Sequence, residues 1–163
     1  MGRLLRHLWC DWWSVGRTFP ATTLTTIEAK IGEQESRHDG EIRFAVEASL
    51  PIADLARGMS SRDRAIEIFT RLHVWDTAQN SGVLVYVLLA DKRVEIVADR
   101  GVDQRVGKVA WDMICGEMER RFAAKRFEEG ALVGIQAISD LLVTHFPPRA
   151  DNIDELPNRP VIL

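Results

Sequence analysis

The chain has 163 residues, 46% hydrophobic and 28% charged, the balance of one soluble domain with a core of its own. Its net charge of −3 excludes the broad basic footprint of a nucleic-acid binder, so no nucleic-acid partner is expected. No apolar run approaches the length that spans a bilayer.

The first predicted element covers residues 3–13. Leu4, Leu5, Leu8, Trp9, Trp12 and Trp13 recur there at helical spacing, with Arg3, Arg6 and His7 on the other side. Two roles fit. The helix packs on the domain, or it lies on a membrane surface or docks a partner, since Trp beside Arg suits both. Arg3, Arg6, His7 and Asp11 interrupt the apolar stretch and no small-residue cleavage site follows, so a secretory signal is not expected. Cys10 and Cys115 match no zinc spacing and no disulfide framework, which points to a reducing, cytoplasmic setting. Residues 1–20 are thus an amphipathic helix and a connector broken by Pro20. Residues 21–146 are the main domain, and 147–163 a tail.

A helix over residues 23–37 has Thr25 and Glu28 at capping-box spacing and a stripe of Leu24, Ile27 and Ile31. Residues 41–48 alternate Ile42, Phe44 and Val46 against Glu41, Arg43 and Glu47, a strand with one polar face. The next helix, 60–76, starts on a second capping-box match, Ser60 with Asp63, and turns Ile66, Phe69 and Leu72 inward. Residues 82–90 are almost continuously apolar, as in a strand buried on both faces at the centre of a sheet. A short turn and a strand over 94–98 complete an antiparallel hairpin.

Two helices close the domain. One spans 103–124, with Val106, Val109, Ala110, Met113 and Phe122 on its inner side, and the other spans 128–145, with Leu132, Ile135, Ile138 and Leu142 buried. Gly130 and Gly134, one turn apart, permit close packing there. The proline-punctuated tail is expected to run extended over the surface. One right-handed βαβ unit and one antiparallel hairpin give an α/β fold, a small mixed sheet with helices on both faces, an α/β/α sandwich.

Strand direction gathers polar residues at one end of this sheet. Asp76 and Asn80 enter the central strand there, Asp99 and Arg100 leave the hairpin there, and Asp39, Gly40 and Glu41 open the first strand at the same edge. The helix that begins near Asp103 turns its N-terminus that way. Carboxylate and amide oxygens of Asp76, Asn80 and Asp99 suit Ca²⁺ or Mg²⁺, while Arg100, Gly101 and Asp103 at the helix start suit an anion. Together they read as a metal-assisted phosphate site. The same residues also suit turns, an N-cap and an ordinary salt bridge. Glu47 belongs to the opposite edge.

Other chemistry is weaker. Cys115 and Arg121 have the spacing of a Cys-x5-Arg phosphatase loop, but they fall inside a predicted helix, where backbone N–H groups are already engaged. His7, His38, His73 and His145 show no metal-ligand spacing, and no nucleotide loop, serine elbow or calcium loop is present. No catalytic nucleophile is assigned.

Taken in order, "HDGEIRFAVE", "RAIEIFTRLHVWDTAQNSGVLVYVLLADKRVEIVADRG", "RFAAKRFEEGALVGI" and "HFP" resemble the TPM domain family, in its bacterial stand-alone form, over roughly residues 23–147. The resemblance implies an α/β/α sandwich, divalent-metal binding in some members and acid-phosphatase activity in some. Asn80, Asp99 and Gly101 match family motif positions. Where many members bend through Gly-x-Gly after the third strand, this chain has Ala98-Asp99-Arg100-Gly101. Relatives often carry a signal peptide and a membrane anchor, and neither is expected here. The functional expectation is a divalent-metal-binding protein (Ca²⁺ or Mg²⁺) with weak phosphatase-like hydrolysis of a phosphate-bearing ligand. The alternative is a non-enzymatic module that contacts a protein, or a membrane peripherally through residues 1–18.

Overall fold

The parallel and antiparallel pairings expected from the apolar runs are both present. This computed structural model describes residues 2–10, 12–149 and 153–163, with the backbone but not the side chain of Trp12. Asp11, the Trp12 side chain and residues 150–152, which fall in the predicted first helix and tail, lie outside the described residues. The elements are α1 (Arg3–Trp9), α2 (Trp12–Thr18), α3 (Ala21–Glu35), β1 (Glu41–Glu47), α4 (Ile52–Ala56), α5 (Ser61–Arg71), β2 (Gly82–Leu88), β3 (Arg93–Ala98), α6 (Arg100–Val106), α7 (Lys108–Ala123), α8 (Phe127–His145) and β4 (Val161–Ile162).

The sheet order is β3-β2-β1-β4. β1 pairs parallel with β2, and β2 antiparallel with β3. One face buries Ile42, Phe44, Val46, Val83 and Val85 beneath Ile31 of α3, Met118 of α7 and Ile135 and Ile138 of α8. The other buries Ala45, Leu84, Tyr86 and Leu88 beneath Ala65, Ile68 and Phe69 of α5 and Leu156 of the tail. Helices on both faces of a mixed sheet make the α/β sandwich that the pattern predicts. Gly134 and Gly130 do admit close packing, because a Cβ on Gly134 would lie 2.3 Å from the Met118 sulfur and one on Gly130 2.6 Å from the Phe122 ring.

Several local expectations are corrected. β1 has no solvent face, since all seven residues are buried. The tail does not merely lie on the surface: its β4 pairs parallel with β1, Ala45 opposite Val161, and Leu156 joins the core. That cover contributes to the burial of Glu41 and Arg43, whereas Glu47 is buried against Arg64 of α5 and Tyr86. Glu47 meets Arg64 through two bonds of 2.7 and 2.9 Å and accepts a third from the Tyr86 hydroxyl at 2.5 Å, so its charge is matched inside the core.

Helix boundaries shift for identifiable reasons. α3 starts at Ala21 behind Pro20, and Thr25 donates to the Ala21 carbonyl at 3.0 Å instead of capping. The Ser60–Asp63 capping box forms as predicted. α5 is shorter than expected: it ends at Arg71, and His73 beyond it adopts φ 53°. Ile66 is exposed and Ile68 buried in its stead. The helix predicted over 103–124 is two, α6 and α7, separated by Gly107 at φ 80°. The break resets the helical phase, so Val109 and Met113 are exposed while Trp111, Ile114 and Met118 turn inward. α4 has no counterpart in the sequence pattern, and in place of one helix over 3–13 there are two short ones, α1 (Arg3–Trp9) and α2, which runs from Trp12 on to Thr18.

Candidate functional site

The site lies at the edge where β1 and β2 begin and β3 ends. Neighbouring backbones are stitched in a row there: Glu41 N–H donates to Ser81 O at 3.2 Å and Asp99 N–H to Gly82 O at 2.8 Å. Two glycines let the loop before β2 close over this edge. A Cβ on Gly82 would stand 1.8 Å from the Val74 carbonyl oxygen, and one on Gly101 2.5 Å from the Asn80 carbonyl oxygen. Asn80 itself holds φ 50°.

Of the predicted edge residues, the structure brings Asn80 and Gly101 into contact and sets Asp99 at the start of α6. Asp99 caps α6, its Oδ1 accepting from Arg100 N–H at 2.6 Å, and its Oδ2 is buried with no hydrogen-bond partner among the described residues. Asp76, Arg100 and Asp103 are exposed, and their side chains make no hydrogen bond or ion pair among the described residues. The Cys115–Arg121 segment lies within α7, as the spacing predicts, and burial pushes the thiol up to about 12, opposite to an activated nucleophile.

A second polar group, on the β1 side of the same edge, is more tightly built. Glu35 ends α3, Glu41 opens β1, and Asp154 comes from the tail; each offers a carboxylate oxygen, and these lie within 4.8 Å of one another. The Glu35 Oε1 accepts from Ile42 N–H at 2.8 Å. The two oxygens of Glu41 accept from Glu155 and Leu156 N–H at 3.2 and 3.1 Å, which brings the tail across the edge. Glu155 then reaches on to Ala78 N–H at 3.0 Å. Behind it, buried Asp39 pairs with Arg149. These contacts place Asp154.

Burial dominates the electrostatics. It pushes Glu35 up to about 9, and repulsion from Glu41 and Asp154 adds to the rise against the Ile42 hydrogen bond. Burial likewise pushes Glu41 up to about 7, although the two tail amides pull it down. Arg43, two residues along β1, is a buried cation whose field acts on Glu35. His38, in the connecting turn, is held neutral by burial, down to about 4, with its Nδ1 accepting from Gly40 N–H.

The donor set is all oxygen and all carboxylate. It fits a hard cation such as Ca²⁺ or Mg²⁺, and three ligand atoms leave coordination positions open. Glu35 sits mid-pattern at a helix end and Asp154 in the tail, so neither stands out in the linear sequence.

The family model of the TPM domain matches residues 16–141. Among solved structures, the chain is similar to the BA42 protein from the psychrophilic bacterium Bizionia argentinensis, at 30% identity over 89% of this chain and 95% of that one, with a TM-score of 0.77. It also shares its fold with the N-terminal domain of a P. gingivalis protein, at 16% identity over 79% of this chain and 81% of that one, with a TM-score of 0.62. No curated protein matches the chain.

Proposed function

The chain belongs to the TPM domain family, and we propose that it acts as a divalent-cation-binding protein whose Ca²⁺ or Mg²⁺ is held by Glu35, Glu41 and Asp154. One observation carries this: carboxylates from a helix end, a strand start and the tail converge within 4.8 Å. Like charges so close, with Glu35 and Glu41 buried and Asp154 exposed at the mouth, favour either a bound cation or retained protons. The ion belongs on the tail side of the edge rather than at Asp76, Asn80 and Asp99. Two of the three carboxylates there, Glu35 and Glu41, are buried, whereas Asp76 and Asn80 are both exposed and Asp99 is engaged in capping α6.

A bound divalent ion supplies positive charge that can bind and polarise a phosphoryl oxygen. Arg100, exposed at the same edge beside Gly101 and Asp103, is the guanidinium available to a phosphate. The activity in keeping with this arrangement is slow phosphomonoester hydrolysis.

Purified protein should melt at a higher temperature with Ca²⁺ or Mg²⁺, and should turn over a chromogenic phosphomonoester only with the ion present. Glu41→Gln should remove both effects, and Arg100→Ala only the turnover. A melting temperature indifferent to both ions overturns the cation site; an ion-dependent shift without turnover leaves binding and removes the hydrolase.

A further inference from the structure

Of the two roles that the sequence of α1 fits, packing through the apolar stripe is not the one it takes. Its polar side faces the domain: Asp91 accepts from Arg3 at 2.8 and 3.0 Å, from Arg6 at 3.4 Å, and lies 3.1 Å from His7 Nε2. His7 Nδ1 accepts from Leu50 N–H at 2.9 Å, so the ring proton sits on Nε2 and donates to Asp91 without the ring being charged. Anchored this way, the helix cannot roll its apolar side inward. Leu4, Leu5, Leu8, Trp9 and Trp13 stand 49–77% exposed. Ile52 of α4, 63% exposed, lines shallow grooves with Leu4 and Leu8 and extends the patch. The joined apolar surface of Leu4, Leu8 and Ile52, on a segment that also exposes Trp9 and Trp13, marks an interaction site.

Charge indicates what covers it. Arg3 and Arg6 share the single carboxylate of Asp91. Arg17 is exposed on α2. Beside α2, a groove of about 660 Å³ is lined by Cys10, Ser14 and Thr18 together with Lys92, Lys125, Arg120 and one carboxylate, Glu119; Glu119 pairs with Arg93 and Arg120 with Glu117, while neither lysine makes an ion pair among the described residues. This collar is positive on a chain whose net charge is −3. A second copy docked face to face would set the collar against itself. No helix among the described residues is long and apolar enough to cross a membrane.

We propose that α1, the start of α2 and Ile52 seat the protein on the surface of an anionic lipid bilayer. Leu and Trp side chains enter the boundary between headgroups and acyl chains, and Arg17, Lys92 and Lys125 meet the headgroups. Asp91, the anchor, lies in the turn at the far end of the β2–β3 hairpin from Asp99. Seated on α1, the protein holds its carboxylate edge about 20 Å from the bilayer side, the length of the strands. The inference uses none of the residues of the proposed cation site.

The full chain should sediment with vesicles of phosphatidylcholine and phosphatidylglycerol, shift its tryptophan emission to the blue, and bind pure phosphatidylcholine vesicles more weakly. The double variant Trp9→Ser/Trp13→Ser, whose two positions are exposed, should keep the wild-type far-ultraviolet spectrum and lose on the order of tenfold or more in partitioning. The charge variant Lys92→Glu/Lys125→Glu should lose binding to the anionic vesicles alone. Absence of sedimentation, equal binding by the tryptophan variant, or equal binding to neutral and anionic vesicles overturns the proposal. So does a concentration-dependent dimer in sedimentation velocity that the tryptophan variant abolishes.

Discussion

Glu35 and Glu41 stand at the two ends of the turn that joins α3 to β1, and they bring carboxylate oxygens within 4.8 Å of each other in a region the tail covers. Two acids in sequence-adjacent elements, both buried, are costly unless a proton or a cation accompanies them. Their arrangement sets how the protein should respond to pH and to ions.

Without divalent ions, stability should fall as pH rises from about 6.5 to about 9. Glu35 is raised to about 9 when folded, from 4.5. Between those values the folded state keeps a proton that the unfolded state has lost, so stability decreases with rising pH. Glu41, raised to about 7, acts in the same direction over the lower part of that range. His38, lowered to about 4 from 6.5, acts oppositely: below pH 6.5 the unfolded state takes up a proton first, so its contribution is lost as pH falls. The acids therefore act unopposed by His38 only above about 6.5. Urea denaturation across this range checks the slope, and Glu35→Gln should flatten it.

The Glu47–Arg64–Tyr86 group should be structural. Glu47→Ala leaves the Arg64 guanidinium buried without its main partner and should cost about 3–5 kcal/mol of unfolding free energy. Ion binding, at the other end of β1, should survive in whatever fraction remains folded. A loss below 1 kcal/mol, read by denaturant midpoint, contradicts a buried pair.

Gly82→Ala tests the close approach at the start of β2. The added Cβ meets the Val74 carbonyl oxygen at 1.8 Å, a backbone atom that a rotamer change cannot move aside. Destabilisation of about 3 kcal/mol or more is expected. Gly134→Ala should cost less, because the obstacle is the flexible end of Met118.

The parts of this molecule that local pattern controls were legible in its sequence. The β1–β2–β3 pairings, the Ser60 cap and the placing of Asn80 and Asp99 at one end of the sheet all follow from apolar runs, capping spacing and strand direction. What was not legible depends on distant contacts. The burial of Glu41 and the position of Asp154 require the tail to fold back on β1, and no local pattern encodes that return. Amphipathicity shows that α1 has two sides but not which one binds; Asp91, far along the chain, decides it. Gly107, at φ 80°, divides a helix whose apolar spacing alone looked continuous, and so reverses the exposure of Met113.

The central claim is tested most directly by calorimetric titration of the full chain with Ca²⁺ and with Mg²⁺, repeated in buffers of different ionisation heat. One site is expected, binding with release of protons because Glu35 and Glu41 must ionise, and lost in both Glu41→Gln and Asp154→Asn. A flat titration with both ions, or binding that persists unchanged in both variants, contradicts a cation at Glu35, Glu41 and Asp154.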